Sequence, residues 1–168
     1  QNLSATGEKL RVLTGMSGGT DSSAAVLMLK AQGYDVVGLT LKLWDYGLEA
    51  GEGRCCTPDD VRDARAVAFS LDIPFYVRDF SEKFSTDVVD YFVDTYTEGK
   101  TPNPCTVCNE KIKFSLLDIL ATDIEADYLA TGHYARIIYN ADTKEHELHR
   151  GVDETRDQTY FLFRLNQS

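Results

Sequence analysis

The segment Ser17-Gly18-Gly19-Thr20-Asp21-Ser22-Ser23 restricts what this chain can become more than any other. It follows a short apolar run at residues 11–16, which reads as a strand, and runs into a helical pattern at residues 22–32. In that helix Ala24, Ala25, Leu27, Met28 and Leu29 are expected to form the buried face, with Gly33 as the stop. A strand that turns through two glycines into a helix aims several backbone N–H groups at one spot. The helix adds its positive N-terminal end, so the turn suits an anion such as a phosphate chain. The hydroxyls of Ser17, Ser22 and Ser23 can donate further hydrogen bonds. The bland alternative is a glycine turn in which Asp21 or Ser22 is an ordinary N-cap and no ligand is needed.

Strand and helix signals go on alternating. Residues 35–44 form a second predicted strand, whose Val36-Val37-Gly38-Leu39 run suits a strand covered on both faces. Residues 47–54 are a glycine- and acid-bearing loop, and Thr57-Pro58-Asp59-Asp60 starts a helix that runs to about residue 71. Then come a strand at 75–79, a helix at 81–98, a proline-rich connector at 99–109, a helix at 110–122 and a strand at 128–131. A hairpin pairs 135–139 with 147–150, and the apolar segment 157–165 is a strand or a helix. This order implies an α/β fold with a parallel sheet and right-handed crossovers. Ligands of such sheets gather at the carboxyl ends of the strands, here residues 15–22, 42–45, 79 and 132–133.

A length of 168 residues fits one domain with a core that needs no disulfides. The four cysteines fall in two local pairs, Cys55-Cys56 and Cys105 with Cys108, a pattern of reducing compartments and of metal-binding or reactive thiols. No stretch approaches the roughly 20 apolar residues of a membrane span, and residues 1–9 lack a signal-peptide pattern. We therefore expect no membrane partner and a cytoplasmic location, or an organellar one if a targeting segment was removed. The net charge of −10 argues against broad nucleic-acid binding. Lys42, Arg54, Lys111, Lys113, Arg136 and Arg156 nonetheless fall near the predicted ligand edge, where a local positive strip could form.

The turn is neither a Gly-Lys-Ser/Thr phosphate loop nor a Gly-x-Gly-x-x-Gly fingerprint. Asp21 is informative, because a carboxylate beside polyphosphate is repelled unless it holds Mg²⁺. The string resembles the PP-loop of the adenine-nucleotide α-hydrolase-like superfamily. That resemblance implies a Rossmann-like parallel sheet of the PP-loop/HUP type and cleavage of ATP between its α and β phosphates, leaving AMP on a substrate oxygen.

A second constellation is Thr101-Pro102-Asn103-Pro104-Cys105-Thr106-Val107-Cys108-Asn109, followed by Lys111 and Lys113. A thiolate at Cys108 would gain from the next helix's dipole and from the two lysines. Three readings compete. Cys108 is a nucleophile, which we favour; or Cys105 and Cys108 are half of an iron–sulfur or other metal site that needs further ligands; or the pair is inert or a dithiol couple. Adjacent thiols cannot easily face one target, so Cys55-Cys56 reads as structural. His133 is either a ligand contact or a satisfied turn residue, while Trp44, Tyr46, Tyr91, Phe92 and Tyr96 read as core.

With these segments in place the chain resembles the ATP-dependent tRNA 2-thiouridine synthetases, or tRNA-specific 2-thiouridylases. The strings that carry the resemblance include Gly15-Met-Ser-Gly-Gly-Thr-Asp-Ser22, Thr101-Pro-Asn-Pro-Cys-Thr-Val-Cys-Asn109, Ala130-Thr-Gly-His-Tyr-Ala-Arg136 and Asp157-Gln-Thr-Tyr-Phe-Leu162. The resemblance implies adenylation of O2 of the tRNA wobble uridine, then sulfur transfer to C2. Asp21 and Cys108 would be the catalytic residues. Gly15, Met16, Ser17, Gly18, Gly19, Thr20, Asp21, Ser22, Leu41 and Gly132 would contact the nucleotide. Asn103, Pro104, Cys105, Arg156, Asp157 and Gln158 would contact tRNA. ATP and Mg²⁺ are implied, with a persulfide carrier protein or cysteine desulfurase as sulfur source. Members with the Cys-x-x-Cys arrangement are linked instead to an iron–sulfur cluster on Cys105 and Cys108.

The family's second catalytic cysteine lies well beyond residue 165, whereas every cysteine here precedes residue 109. Residues 1–168 are thus expected to be one PP-loop domain without the family's later domains, either an N-terminal piece or a protein that depends on another chain to finish the reaction. Two rivals remain: a PP-loop amide-forming synthetase, and an iron–sulfur- or zinc-carrying RNA-binding module without complete catalysis.

Overall fold

The computed structural model describes residues 2–4, 7–44 and 57–167. Its central strand is β1 (Arg11–Gly15), whose middle residues Val12, Leu13 and Thr14 are all buried. β1 pairs in parallel with β2 (Asp35–Lys42) and, on its other side, with β4 (Tyr128–Ala130). β3 (Phe75–Asp79) adds to the outer edge of β2, giving the order β3-β2-β1-β4. The sheet is the expected Rossmann-like parallel one, and its apolar strands are continuous runs because both faces are covered.

Side-chain alternation along the strands divides the core. Met16 and Val36 point to the face covered by α1 (Thr20–Ala31) and α2 (Pro58–Ser70), where they meet Val26 and Ala64. Leu13, Val37 and Leu39 point to the other face and pack on Val88, Val107, Ile112, Leu116 and Leu117. That face is covered by two helical runs. One joins α3 (Ser81–Phe84) to α4 (Asp90–Thr97) through a π-helical stretch, Ser85–Val89. The other joins α5 (Pro104–Val107) to α6 (Ser115–Asp123) through Cys108–Phe114, also wound as π-helix.

α2 starts as its sequence predicts. The Thr57 hydroxyl accepts from the Asp60 N–H while the Asp60 carboxylate accepts from the Thr57 N–H, with Pro58 at the first helical position. The same signal operates at Asn103-Pro104, where the Asn103 side chain accepts from the Thr106 N–H. Both thiols therefore lie inside a helix, not in the predicted connector. In α1 the N-cap is Gly19, so neither Asp21 nor Ser22 caps it. Its inward phase is set by Ser22 and Val26, one turn apart. Ala24, Leu27 and Met28 fall on the outer side, the last two 54% and 61% exposed, contrary to the buried face expected of them.

Strands β5 (Ala135–Asn140) and β6 (Glu145–Arg150) form an antiparallel hairpin. Segment 157–165 is neither strand nor α-helix: short 3₁₀ turns at Glu154–Arg156 and Thr159–Phe161 fold it back on the domain. Arg54, Cys55, Cys56, Tyr46 and the loop at 47–54 lie outside the described residues.

Ile112 is fully buried beneath the sheet, whereas Phe69 on α2 is 88% exposed. Ile112→Ala is expected to lower unfolding stability by about 2–5 kcal/mol. Phe69→Ala should stay within about 0.5 kcal/mol of the parent. Urea unfolding of the two variants side by side checks the assignment of inner and outer faces.

Candidate active site

The connections leaving β1 and arriving at β4 run on opposite faces of the sheet: α1 follows β1 on one, α6 precedes β4 on the other. The carboxyl ends of the two strands consequently part and leave a cavity of about 270 Å³ between them. It is lined by Gly15, Met16, Ser17, Gly19, Asp21 and Ser22 from the glycine turn, by Leu41 near the end of β2 and by Leu43 just beyond it. Lys113 and Leu117 reach it from the thiol-bearing helix, Thr131, Gly132 and His133 from the end of β4, and Gln158 from the folded-back tail.

The predicted nucleotide positions are thus brought together almost entirely. Gly18 and Thr20 are part of the same turn but do not line the cavity. Gly18 has φ +80°, and a Cβ there would lie 2.3 Å from the Asp60 carbonyl oxygen, so glycine is required where the turn presses on α2. The serine hydroxyls brace the turn itself: Ser22 and Ser23 Oγ donate to the Gly19 carbonyl at 3.1 and 2.9 Å, and the Ser17 N–H donates to Ser22 Oγ at 3.2 Å. Thr40 Oγ1 donates to the Met16 carbonyl at 2.7 Å and anchors the start of the turn to β2.

The opposite wall meets the turn first through a close backbone approach at Gly132. A Cβ on Gly132 would lie 2.6 Å from the Ser22 nitrogen, so residues 131–134 lie directly on the first turn of α1. His133 accepts from or donates to Thr131 Oγ1 through Nδ1 at 2.8 Å and stacks on Phe114 at 5.9 Å. Burial, and secondarily the charge of Lys113, lowers its pKa to about 4. It is neutral at pH 7, and it is both a satisfied turn residue and part of the cavity wall. Tyr134 donates its hydroxyl to Asp21 Oδ1 at 2.9 Å.

Cys108 is buried at 8% exposure within the apolar cluster, while Cys105 is exposed at the helix start beside Asn103 and Pro104. Neither sulfur lines the cavity; their helix reaches it through Lys113, one π-helical turn further on. The tail is tied to this helix by Asn109 Nδ2, which donates to the Phe161 carbonyl at 2.9 Å, and by the Arg164–Glu110 ion pair at 2.6 Å. Asp157 caps the Gly151 N–H at 2.8 Å and takes the Thr159 hydroxyl at 2.6 Å, so of the predicted tail residues Gln158 alone lines the cavity.

Among the described residues no three His, Cys, Asp or Glu side chains gather as a metal site, so Cys105 and Cys108 have no further ligand there. Asp79 and Lys42, placed at the ligand edge by sequence, pair with each other at 2.9 Å away from the cavity lining. The Ser81 hydroxyl and then Lys42 hold the Asp79 carboxyl well below the usual carboxylate range. Leu117, Leu43 and Tyr134 were not singled out from sequence. For Leu117 the missing information was helix phase, and for Tyr134 it was the close approach of two loops remote in sequence.

Fold and site together define a Rossmann-like α/β domain with a phosphate-type turn on its central strand. Residues 10–168 match the family described as "tRNA methyl transferase HUP domain", and the chain belongs to that family. It is 51% identical over 158 residues to "tRNA-specific 2-thiouridylase MnmA" of Clostridioides difficile (strain 630), covering 94% of this chain and 44% of that protein. It is 53% identical over 154 residues to the protein of the same name from Rhodospirillum centenum, covering 91% of this chain and 39% of that one. The chain thus spans less than half the length of these relatives.

The depressed pKa of His133 has a consequence for stability. Between about 4 and the ordinary 6.5 the unfolded chain takes up a proton that the folded chain refuses, so stability falls as pH falls. By pH 5 the loss amounts to roughly 2 kcal/mol. Asp153 and Asp157, held low mainly by the hydroxyls of Thr155 and Thr159, lose their contribution only below the carboxylate range, so the higher window isolates His133. In His133→Gln the difference in urea midpoint between pH 7 and pH 5 should largely vanish.

Proposed function

We propose that this chain is the ATP-using, thiol-bearing part of a tRNA-uridine 2-sulfurtransferase. The observation that carries this is convergence on one cavity: the glycine turn, the helix bearing Cys105 and Cys108, and Gln158 of the tail all contribute to its wall. On this proposal ATP lies along the turn, with its phosphates at the backbone N–H groups and the N-terminal end of α1. Lys113 offsets phosphate charge from the facing wall, and the apolar side chains of Leu41, Leu43 and Leu117 exclude water. Asp21 is one hard carboxylate at the phosphate end of the cavity. Such a donor fits Mg²⁺, which keeps waters and phosphate oxygens as its other ligands. When bound, the ion would neutralise charge developing on the phosphate chain.

The uridine O2 attacks the α phosphorus, pyrophosphate leaves along the turn, and C2 then carries AMP as a leaving group. The outer sulfur of a persulfide on Cys108 attacks C2 and releases AMP. A second cysteine thiol then attacks Cys108 Sγ, so that the S–S bond breaks, the sulfur stays on C2, and the disulfide formed between the two cysteines is later reduced by an external thiol. Because Cys108 is buried, the start of its helix must move aside before sulfur can pass. Asn103, Pro104 and Cys105 occupy that start, and Arg156, Asp157 and Gln158 the adjoining tail; we assign both segments to tRNA. To an iron–sulfur cluster the described residues offer the two thiols of Cys105 and Cys108 and no gathered third ligand, a donor set that does not fit it. An amide-forming synthetase would leave the thiol helix without use, and methyl transfer would not call for a thiol beside an adenylating turn.

The proposal extends to residues 1–168 as the catalytic N-terminal domain. A second cysteine beyond this chain and a persulfide carrier or cysteine desulfurase would complete the transfer. A cytoplasmic setting suits a tRNA substrate, and among the described residues no helix is long and apolar enough to cross a membrane.

Incubation with Mg²⁺, ATP labelled at the α phosphate and unmodified tRNA tests this. Label should accumulate on tRNA with the parent chain and with Cys108→Ala. Asp21→Ala should reduce it on the order of a hundredfold. Absence of label on tRNA with the parent, or its loss in Cys108→Ala, would refute the assignment.

A further inference from the structure

The contact that reaches furthest beyond this assignment is the one between Tyr134 and Asp21. Tyr134 Oη donates to Asp21 Oδ1 at 2.9 Å across 113 residues of sequence. Tyr134 is itself held from behind. Its N–H donates to Gln158 Oε1 at 2.9 Å, and its carbonyl accepts from the Gln158 N–H at 2.9 Å. The Arg156 guanidinium lies over its ring at 5.7 Å. In front, Gly132 fixes the distance between this segment and α1, because its backbone touches that of Asp21 and Ser22.

The side chain is therefore clamped at both ends of its backbone and delivers one hydroxyl to one carboxylate. That carboxylate is exposed at a cavity rim and pairs with no cation in the structure's ion pairs among the described residues. A hydroxyl so placed has little to contribute to the core. It does restrict which way the carboxylate of Asp21 turns. Carboxylates that bind metal are commonly oriented by a hydrogen bond of this kind, and its loss costs metal affinity.

We propose that Tyr134 is a positioning residue for Asp21: its hydroxyl orients the carboxylate toward a phosphate-bound divalent cation, and Gln158 holds Tyr134 in place to do so. The inference rests on the assignment of Asp21 to Mg²⁺ made above, and adds a residue whose role no motif revealed. It also makes the tail segment Arg156–Gln158 a support of the nucleotide site as well as a candidate RNA contact.

The test is direct binding of ATP to the 168-residue chain, by calorimetry or with a fluorescent ATP analogue, across a Mg²⁺ titration and in excess EDTA. Tyr134→Phe removes one oxygen and keeps the ring under Arg156. It is expected to raise the Mg²⁺ concentration for half-maximal binding on the order of tenfold. Binding in EDTA should be unchanged. Gln158→Ala, which frees the Tyr134 N–H, should shift the Mg²⁺ dependence in the same direction by a smaller factor. Asp21→Ala serves as reference and should abolish the Mg²⁺ dependence.

A Mg²⁺ dependence in Tyr134→Phe equal to that of the parent overturns the proposal. So does an equal loss with and without Mg²⁺, which would mark a merely structural contact. If Asp21→Ala keeps the parental Mg²⁺ dependence, the assignment of Asp21 fails, and the positioning role fails with it.

Discussion

The backbone contact between Gly132 and the first turn of α1 is the interaction on which the site depends. Parallel pairing of β1 with both β2 and β4 makes the two halves of the domain diverge at the carboxyl edge, because their helices lie on opposite faces. Divergence alone would give an open cleft. Gly132, where a Cβ would come within 2.6 Å of the Ser22 nitrogen, closes one end of it and sets its width. His133 then turns into the cavity wall and Tyr134 reaches back over α1, so three consecutive residues follow from one approach that only glycine permits.

The same approach accounts for the chemistry of His133. Pinned between Phe114, Thr131 and the cavity, its ring is shielded enough that a proton is costly, and Lys113 adds like charge. A neutral imidazole facing Lys113 leaves that lysine as the cationic side chain in the wall, opposite the carboxylate of Asp21. The net charge of −10 therefore does not describe the site. The basic strip suggested by sequence is thinner than its residue list: Lys42 is bound to Asp79, and Arg136 spends its Nε on the Arg150 carbonyl. What persists at the cavity is Lys113, with Arg156 close by over Tyr134.

Much of this was readable beforehand where local chemistry decides the outcome. The strand order could not be read, but the β1-turn-α1 unit, the capped α2 and the end of β4 followed from glycine, proline and capping residues that act within a few positions. The errors arose where tertiary contacts choose between local options. Leu27 and Met28 are as apolar as a core residue can be, yet Ser22 and Val26 took the inward phase because the turn fixes where the helix begins. At Asn103-Pro104 the capping signal competes with two prolines and a nearby glycine that read as a connector. The tail had no periodicity to read; it is held by Asn109, Tyr134 and Gly151, partners from 6 to 52 residues away.

The placement of the thiols adds an order of events to the proposed reaction. The glycine turn faces an open cavity while Cys108 is closed within the apolar cluster, so in this conformation the proposed nucleotide site is accessible and the sulfur is not. Cys105 and Asn103 lie at the more exposed start of the same helix, on the segment assigned to tRNA. A substrate bound there would act on the first helical turn, and the π-helical winding that begins at Cys108 is a less regular stretch than the α-helix on either side. Exposure of the thiol would then be tied to occupancy of the RNA segment. Such coupling suits a reaction in which a persulfide should meet an activated uridine and not free solvent, because an exposed reactive sulfur is also open to oxidation.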